Sequence, residues 1–280
     1  MWVQHEVLKR SKAVANQSAR AITGNPSTAA SAEAPPLFQT EEVPPFAFGE
    51  FLVKVLGLAK RILMQEKVVA MTLDLERFEQ TPLNKEPFEY LVVPEFVKSQ
   101  AREGISDDYP KVDKAGSFPL SEVKFGPKFK ELTDDLIGPE FRGAVERKFS
   151  IDLALRPTMI TVRGRCSEKD GKIHTDSKTK IITVLLYLNS KWESPGGRLR
   201  LLRSEGSLDD MVVELPPLAG TLLVFKRSDN SWHGHQPFAG ERRVIQLNWV
   251  TDEEVVRREQ NRHRFSATIK KILGPLAARR

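Results

Sequence analysis

Apolar residues recur at helical spacing in the first half of the chain and in short β-rich runs in the second. Leu52, Val55, Leu56, Ala59, Ile62 and Leu63 fall on one helical face between Phe51 and Met64, with lysines between them, which predicts a docked surface helix. Pro87 to Pro94 reads as a short strand bounded by prolines. Pro94 to Gln100 reads as a helix start, and Phe118 to Phe149 as mainly helical with interruptions. Pro139 suits the first position of a helix whose stripe is Phe141, Val145 and Phe149. From Pro157 the period changes. Met159–Arg163, Ile181–Leu188, Arg198–Leu202, Met211–Leu215, Thr221–Phe225 and Val244–Val250 alternate with Gly and Pro turns such as Pro195-Gly196-Gly197. Short strands at such spacing predict a jelly roll or barrel. A charged helix, with Val256, Phe265, Ile269 and Ile272 available for docking, closes the chain.

These patterns divide the 280 residues into three parts. Residues 1–70 read as an extension, disordered over 1–45 and carrying one amphipathic helix. Residues 71–252 form the main domain, with helical support over 71–156 and a β core over 157–252. Residues 253–280 form a basic C-terminal helix. Met71 resembles an independent start, so the extension is expected to be dispensable. The pI near 9.3 changes this picture little. Residues 253–280 hold eight Lys or Arg against three Asp or Glu, so they carry +5 of the formal +6. The body is therefore near neutral, which weighs against nucleic acid as a partner. One cysteine, Cys166, excludes a disulfide framework and a Cys-rich zinc site and fits a reducing cytoplasm. The Phe46–Met64 stretch is broken by Glu50, Lys54, Lys60 and Arg61, so no transmembrane segment is expected. Nothing in the pattern sets an oligomeric state.

The candidate chemistry lies between Ile173 and Trp249. His174 and Asp176, two residues apart on extended backbone, leave one face together. A distant histidine in Trp232-His233-Gly234-His235 could complete a two-histidine, one-carboxylate facial site, an arrangement suited to ferrous iron and oxygen chemistry. His5 and His263 lie outside the pattern. Lys178 and Lys180, close after the pair, read as solvated loop charges, with substrate contact as the lesser reading.

Residues 157–250 resemble the 2-oxoglutarate/Fe(II)-dependent dioxygenase superfamily, in its prolyl-hydroxylase-like branch. The resemblance rests on His174-x-Asp176, Leu186-Tyr187-Leu188-Asn189-x-x-Trp192, Gly196-Gly197-x-Leu199 and Pro217-x-x-Gly220-Thr221-x-x-x-Phe225. It continues through Ser231-Trp232-His233-Gly234, Pro237 and Arg243-x5-Trp249. It implies a mainly β fold with flanking helices (α+β), its core a double-stranded β-helix (jelly roll) braced by N-terminal helices and a C-terminal helix. It implies Fe(II) held by His174, Asp176 and His233, with His235 as the alternative third ligand. It also implies 2-oxoglutarate as cosubstrate, held through its remote carboxylate by a basic residue about ten positions after the distal histidine. Arg242 and Arg243 both qualify. Arg243 is preferred because Ile245, Leu247 and Trp249 share its face, expected to be the barrel interior. Tyr187 and, less strongly, Thr183 are the further cosubstrate-binding candidates. The implied reaction couples O2 and 2-oxoglutarate, with release of succinate and CO2, to hydroxylation of an unactivated C–H bond. Ascorbate is the reductant such enzymes can use. The substrate could be a protein prolyl residue, a small metabolite or a saccharide.

Two competing readings remain at this level. One is a catalytically silent metal-binding interaction module on the same fold. The other is a nucleic-acid demethylase, which carries a further arginine six residues after its cosubstrate arginine, where this chain has Trp249.

Overall fold

The computed structural model describes residues 53–58 and 71–259. The chain falls into two compact units, Met1–Ala59 and Lys60–Arg280. In the first, residues 53–58 are helical, with Val53, Val55 and Leu56 exposed. The disorder expected over 1–45, the rest of the 51–64 helix, and Phe265, Ile269 and Ile272 lie outside the described residues. No helix among the described residues is long and apolar enough to cross a membrane.

The second unit is mainly antiparallel β. It contains β1 (Tyr90–Val93), β2 (Phe118–Pro119), β3 (Thr158–Cys166), β4 (Lys180–Tyr187), β5 (Leu199–Leu202), β6 (Met211–Leu215), β7 (Leu222–Lys226), β8 (His233–His235) and β9 (Gly240–Val250). Six strands form one sheet in the order β1-β7-β4-β9-β3-β2, and three form another in the order β6-β5-β8. Tyr187, Leu223, Phe225 and Val244 of the large sheet share a core with Leu199, Leu201 and Leu215 of the small one. The two sheets thus pack face to face in a jelly roll.

The opposite face of the large sheet is covered by helices α1 (Leu75–Gln80), α2 (Ser99–Asp107), α3 (Pro127–Ile137) and α4 (Pro139–Phe149). Prolines open α3 and α4, where a missing N–H costs nothing. Phe78, Phe129, Leu132 and Phe141 from these helices pack with Ile182, Val184 and Leu186 of β4 and Ile245, Leu247 and Trp249 of β9. Helix α2 begins at Ser99, later than the Pro94 start the sequence pattern implies. Glu95, with φ at 55°, sits in a turn between β1 and α2.

Strand alternation therefore sorts β4 and β9 into two faces. Ile182, Val184, Leu186, Ile245, Leu247 and Trp249 meet helices. Thr183, Leu185, Arg242, Val244 and Gln246 line a cavity on the other side. This overturns the expectation that the Ile245–Leu247–Trp249 face is the barrel interior. Both faces of this sheet are buried, so apolar alternation alone marks the thicker core and not the mouth.

Part of the motif text holds the scaffold together. Asn189 Nδ2 donates to Pro217 O at 2.6 Å, and its Oδ1 accepts from Arg243 N at 3.0 Å. Trp192 Nε1 donates to Gly196 O at 3.1 Å. Gly197 has φ at +73°, and a Cβ there would lie 2.7 Å from the Trp192 ring, so this turn requires glycine.

Candidate active site

His174 and His233 come together through backbone pairing. Each donates its N–H to the other's carbonyl at 3.0 Å, in an isolated antiparallel bridge that joins the loop before β4 to the start of β8. Their rings lie 4.3 Å apart, centre to centre. His174 Nδ1 donates to Lys172 O at 2.8 Å, and His233 Nδ1 donates to Ser231 O at 2.9 Å. Because a carbonyl can only accept, each Nδ1 carries a proton, and in the neutral ring this tautomer leaves the Nε2 lone pair for a ligand. One ligand atom each from His174, Asp176 and His233 lies within 4.8 Å of the others. That donor set matches the facial triad.

Asp176 is buried and doubly engaged. Lys180 Nζ lies 2.7 Å from Oδ1, and Thr183 Oγ1 donates to Oδ2. The Thr183 proton has no other direction to take, because Asn248 Nδ2 already donates to the same hydroxyl at 2.8 Å. Burial alone would raise the Asp176 pKa. The charges of Lys180 and His233, with the hydrogen bonds from Lys180 and Thr183, outweigh it and hold the carboxyl below its ordinary value. His233 is pushed down to about 4, chiefly by burial, against the opposing pull of Asp176. The carboxylate and the neutral imidazole are the forms a cation needs.

A cavity of about 200 Å3 opens beside this group, lined further by His235, Arg242 and Leu199. Arg242 is only 5% exposed. Its Nε donates to Gly197 O at 2.8 Å, and its guanidinium carbon sits 5.3 Å over the Tyr187 ring. Among the described residues no carboxylate pairs with it. Tyr187 is fully buried, and among the described residues its hydroxyl makes no hydrogen bond of good geometry, although the Arg242 side chain comes near it. Burial raises its pKa, with Arg242 opposing, so it stands as a neutral donor.

The expected site residues thus separate. His174, Asp176 and His233 converge, while His235 is buried nearer Arg242, its Nδ1 on Gln236 O. A Cβ at Gly171 would come within 2.4 Å of the His235 ring, so that wall closes on glycine. Tyr187 is fully buried in the core between the sheets, its ring against the Arg242 guanidinium. Thr183 stands at Asp176 and not beside Arg242. Arg243 points to the helical side, with NH1 on the Ser106 hydroxyl at 3.1 Å, Nε on Glu241 at 3.0 Å, and the guanidinium over Tyr109. The cavity contains Arg242 in its place, the reverse of the sequence preference. Lys180, expected to be a solvated loop charge, is ion-paired to Asp176 and 18% exposed. Sequence reasoning did not foresee the contact of Lys180 with Asp176 or that of Asn248 with Thr183. For Asn248 the available signal was its place with Arg242 and Gln246 on one face of β9, opposite the apolar Ile245, Leu247 and Trp249.

Residues 164–251 match the family model described as the 2OG-Fe(II) oxygenase superfamily, over nearly the same text as the resemblance read from the sequence. Among solved structures, a Pseudomonas putida prolyl-4-hydroxylase is 16% identical, with a TM-score of 0.43 over 65% of this chain and 96% of that one. A structure described as prolyl 4-hydroxylases from Phytophthora capsici is 19% identical, with a TM-score of 0.42 over 66% and 68%. HygX from Streptomyces hygroscopicus, with nickel and 2-oxoglutarate bound, is 14% identical, with a TM-score of 0.41 over 63% and 84%. No curated protein matches the chain.

Proposed function

We propose that the chain is an Fe(II)- and 2-oxoglutarate-dependent dioxygenase that hydroxylates an unactivated C–H bond. The observation that carries this reading is a buried arginine without a carboxylate partner among the described residues, its guanidinium over the buried Tyr187 ring, in one cavity with a two-histidine, one-carboxylate cluster. A buried, unpaired cation is costly unless a ligand neutralises it. A carboxylate placed between Arg242 and Tyr187 would accept from both.

The donor chemistry fits both groups. His174 and His233 would hold iron through Nε2 and Asp176 through a carboxylate oxygen, leaving positions open on the metal. Arg242 and Tyr187 would hold the remote carboxylate of 2-oxoglutarate. When bound, the iron and cosubstrate would supply the electrons that activate O2, the cosubstrate being oxidised to succinate and CO2. The chain's own residues orient and shield. Lys172 O and Ser231 O fix the imidazole tautomers, and Asn248 through Thr183 fixes the carboxylate. Leu185, Leu199 and Val244 form the apolar part of the wall that keeps water from the cosubstrate.

The test is succinate release from 2-oxoglutarate under air, with and without Fe(II). The wild type should show Fe(II)-dependent release even without a known substrate. His174→Ala should lose at least about a hundredfold of bound iron and of turnover, as expected for a ligand and not for one of its supporting groups. Iron-independent release, or none with iron bound, would defeat the reading.

A further inference from the structure

Two open spaces meet at His174 and Asp176. The 200 Å3 cavity that contains Arg242 adjoins a groove of about 760 Å3, and Ser117, Thr161, His174, Asp176, Lys180 and Gln246 line both. Residues that line the groove alone include Leu120, Phe125, Ile137, Met159 and Val255, so most of its wall is apolar. Ile137 of α3 stays 49% exposed there. No charge along this wall awaits a partner among the described residues. Asp176 pairs with Lys180 at 2.7 Å, Lys130 with Asp134 at 2.6 Å, and Glu259 is also engaged. An ionic group entering the groove would give up water without meeting a free counter-charge.

The polar groups at the junction are neutral, and one of them is left unemployed by the fold. Gln246 of β9 lies directly across from Thr161 of β3, and both side chains stand on the cavity side of the sheet. Neighbouring polar residues on the same face of β9 have work to do: Asn248 Nδ2 donates to Thr183 Oγ1 at 2.8 Å, and Arg242 Nε to Gly197 O at 2.8 Å. Gln246 differs. Among the described residues its amide makes no side-chain hydrogen bond, and it is half-buried, with Leu185 of β4 opposite it on its other side. A carboxamide presents a donor and an acceptor side by side. Its complement is a neutral group that offers the same two functions in reverse.

We infer that the substrate is an uncharged small molecule whose hydrocarbon body lies in the groove and whose one neutral, donating and accepting group pairs with the Gln246 amide, so that Gln246 determines specificity. This rests on the oxygenase reading, which makes the groove's inner end the place of reaction. The occupant follows from the continuity of the groove with that site and from the pairing of every charge on its described wall. The apolar wall supplies area, and Gln246 selects a polar neutral group over an ion.

The test loads wild-type protein with Ni(II) and saturating 2-oxoglutarate, assays both in each sample, and measures binding of octanamide, octanoate and octylammonium by calorimetry. The three probes share one apolar body and differ in charge. Octanamide should bind at least roughly tenfold more tightly than either ion, the penalty of a charge that enters without a counter-charge. Gln246→Met, close in shape, should weaken octanamide roughly tenfold, the size of two neutral hydrogen bonds, and keep nickel and 2-oxoglutarate. Gln246→Glu should turn the preference to octylammonium. An ion that binds the wild type as tightly as octanamide does, no binding of any probe, or undiminished octanamide affinity in Gln246→Met overturns the inference. Loss of 2-oxoglutarate from Gln246→Met would assign the amide to the cosubstrate and overturn it too. Failure of the wild type to take up nickel and 2-oxoglutarate would overturn the oxygenase reading itself, and this inference with it.

Discussion

Arg242 and Arg243 are neighbours on one strand and sit in opposite worlds. Arg243 is fully employed by the protein: Ser106, Glu241 and the Tyr109 ring satisfy it at the seam between β9 and α2. Arg242 is more deeply buried and, among the described residues, less satisfied, held by a single carbonyl and stacked over the Tyr187 ring. The difference separates a structural cation from a binding one. Stability favours pairing every buried charge, and an exception inside a cavity is where a ligand can supply the missing partner. The same contrast extends along β9. Its helix-facing side is a continuous apolar core, while its cavity-facing side carries Arg242, Gln246 and Asn248.

The two faces should fail differently. Leu247→Ala removes a fully buried side chain from the helix-facing core. It should cost about 2–5 kcal/mol of unfolding free energy, with metal affinity per folded molecule unchanged. Thr183→Val, on the cavity face, should cost less stability and weaken Ni(II) binding by roughly tenfold or more, because the carboxylate loses the group that orients it. Denaturant titrations and equilibrium dialysis of both variants check this. A Thr183→Val protein with wild-type metal affinity would show that the Asn248–Thr183 chain does not serve Asp176.

Acid should reach the cavity face first. Burial holds His233 down to about 4; burial, with Arg242 next, does the same for His235. An unfolded imidazole titrates near 6.5. Between those values the unfolded chain binds more protons, so stability is complete above pH 6.5 and falls as the pH drops towards 4. The slope should reach up to about 1.4 kcal/mol per pH unit for each imidazole. Asp176 acts in a lower window, since its depressed pKa contributes above the unfolded carboxyl value and is lost below it. Thermal unfolding of metal-free protein between pH 7.5 and 5 should show a falling midpoint, with a shallower fall in His235→Gln. A flat profile would mean that these imidazoles are not held neutral.

Much of the fold was legible because its signals are local. Strand alternation marked β3, β4, β5, β6, β7 and β9, and Pro139 marked the start of α4. His174 and Asp176 were legible because spacing on extended backbone puts them on one face. Strand β8 was not, since His233–His235 is a three-residue strand whose pairing with β5 and with His174 is a matter of tertiary contact. The choice between Arg242 and Arg243 was not legible for a different reason. The large sheet is covered on both sides, so an apolar face no longer identifies the interior, and only the packing of α1–α4 reveals which side is the cavity. The Lys180–Asp176 ion pair was not legible because the position of Lys180 at the first residue of β4 depends on how the preceding loop turns.

The most direct measurement is 2-oxoglutarate affinity, determined by calorimetry under anaerobic conditions on Ni(II)-loaded wild type, Arg242→Met and Arg243→Met. Arg242→Met should retain nickel and bind the cosubstrate roughly ten- to a hundredfold more weakly, the loss expected for a charge-assisted pair of hydrogen bonds, while Arg243→Met should bind it as the wild type does. Wild-type affinity in Arg242→Met, or a selective loss in Arg243→Met, would contradict the assignment of the cavity as the cosubstrate site.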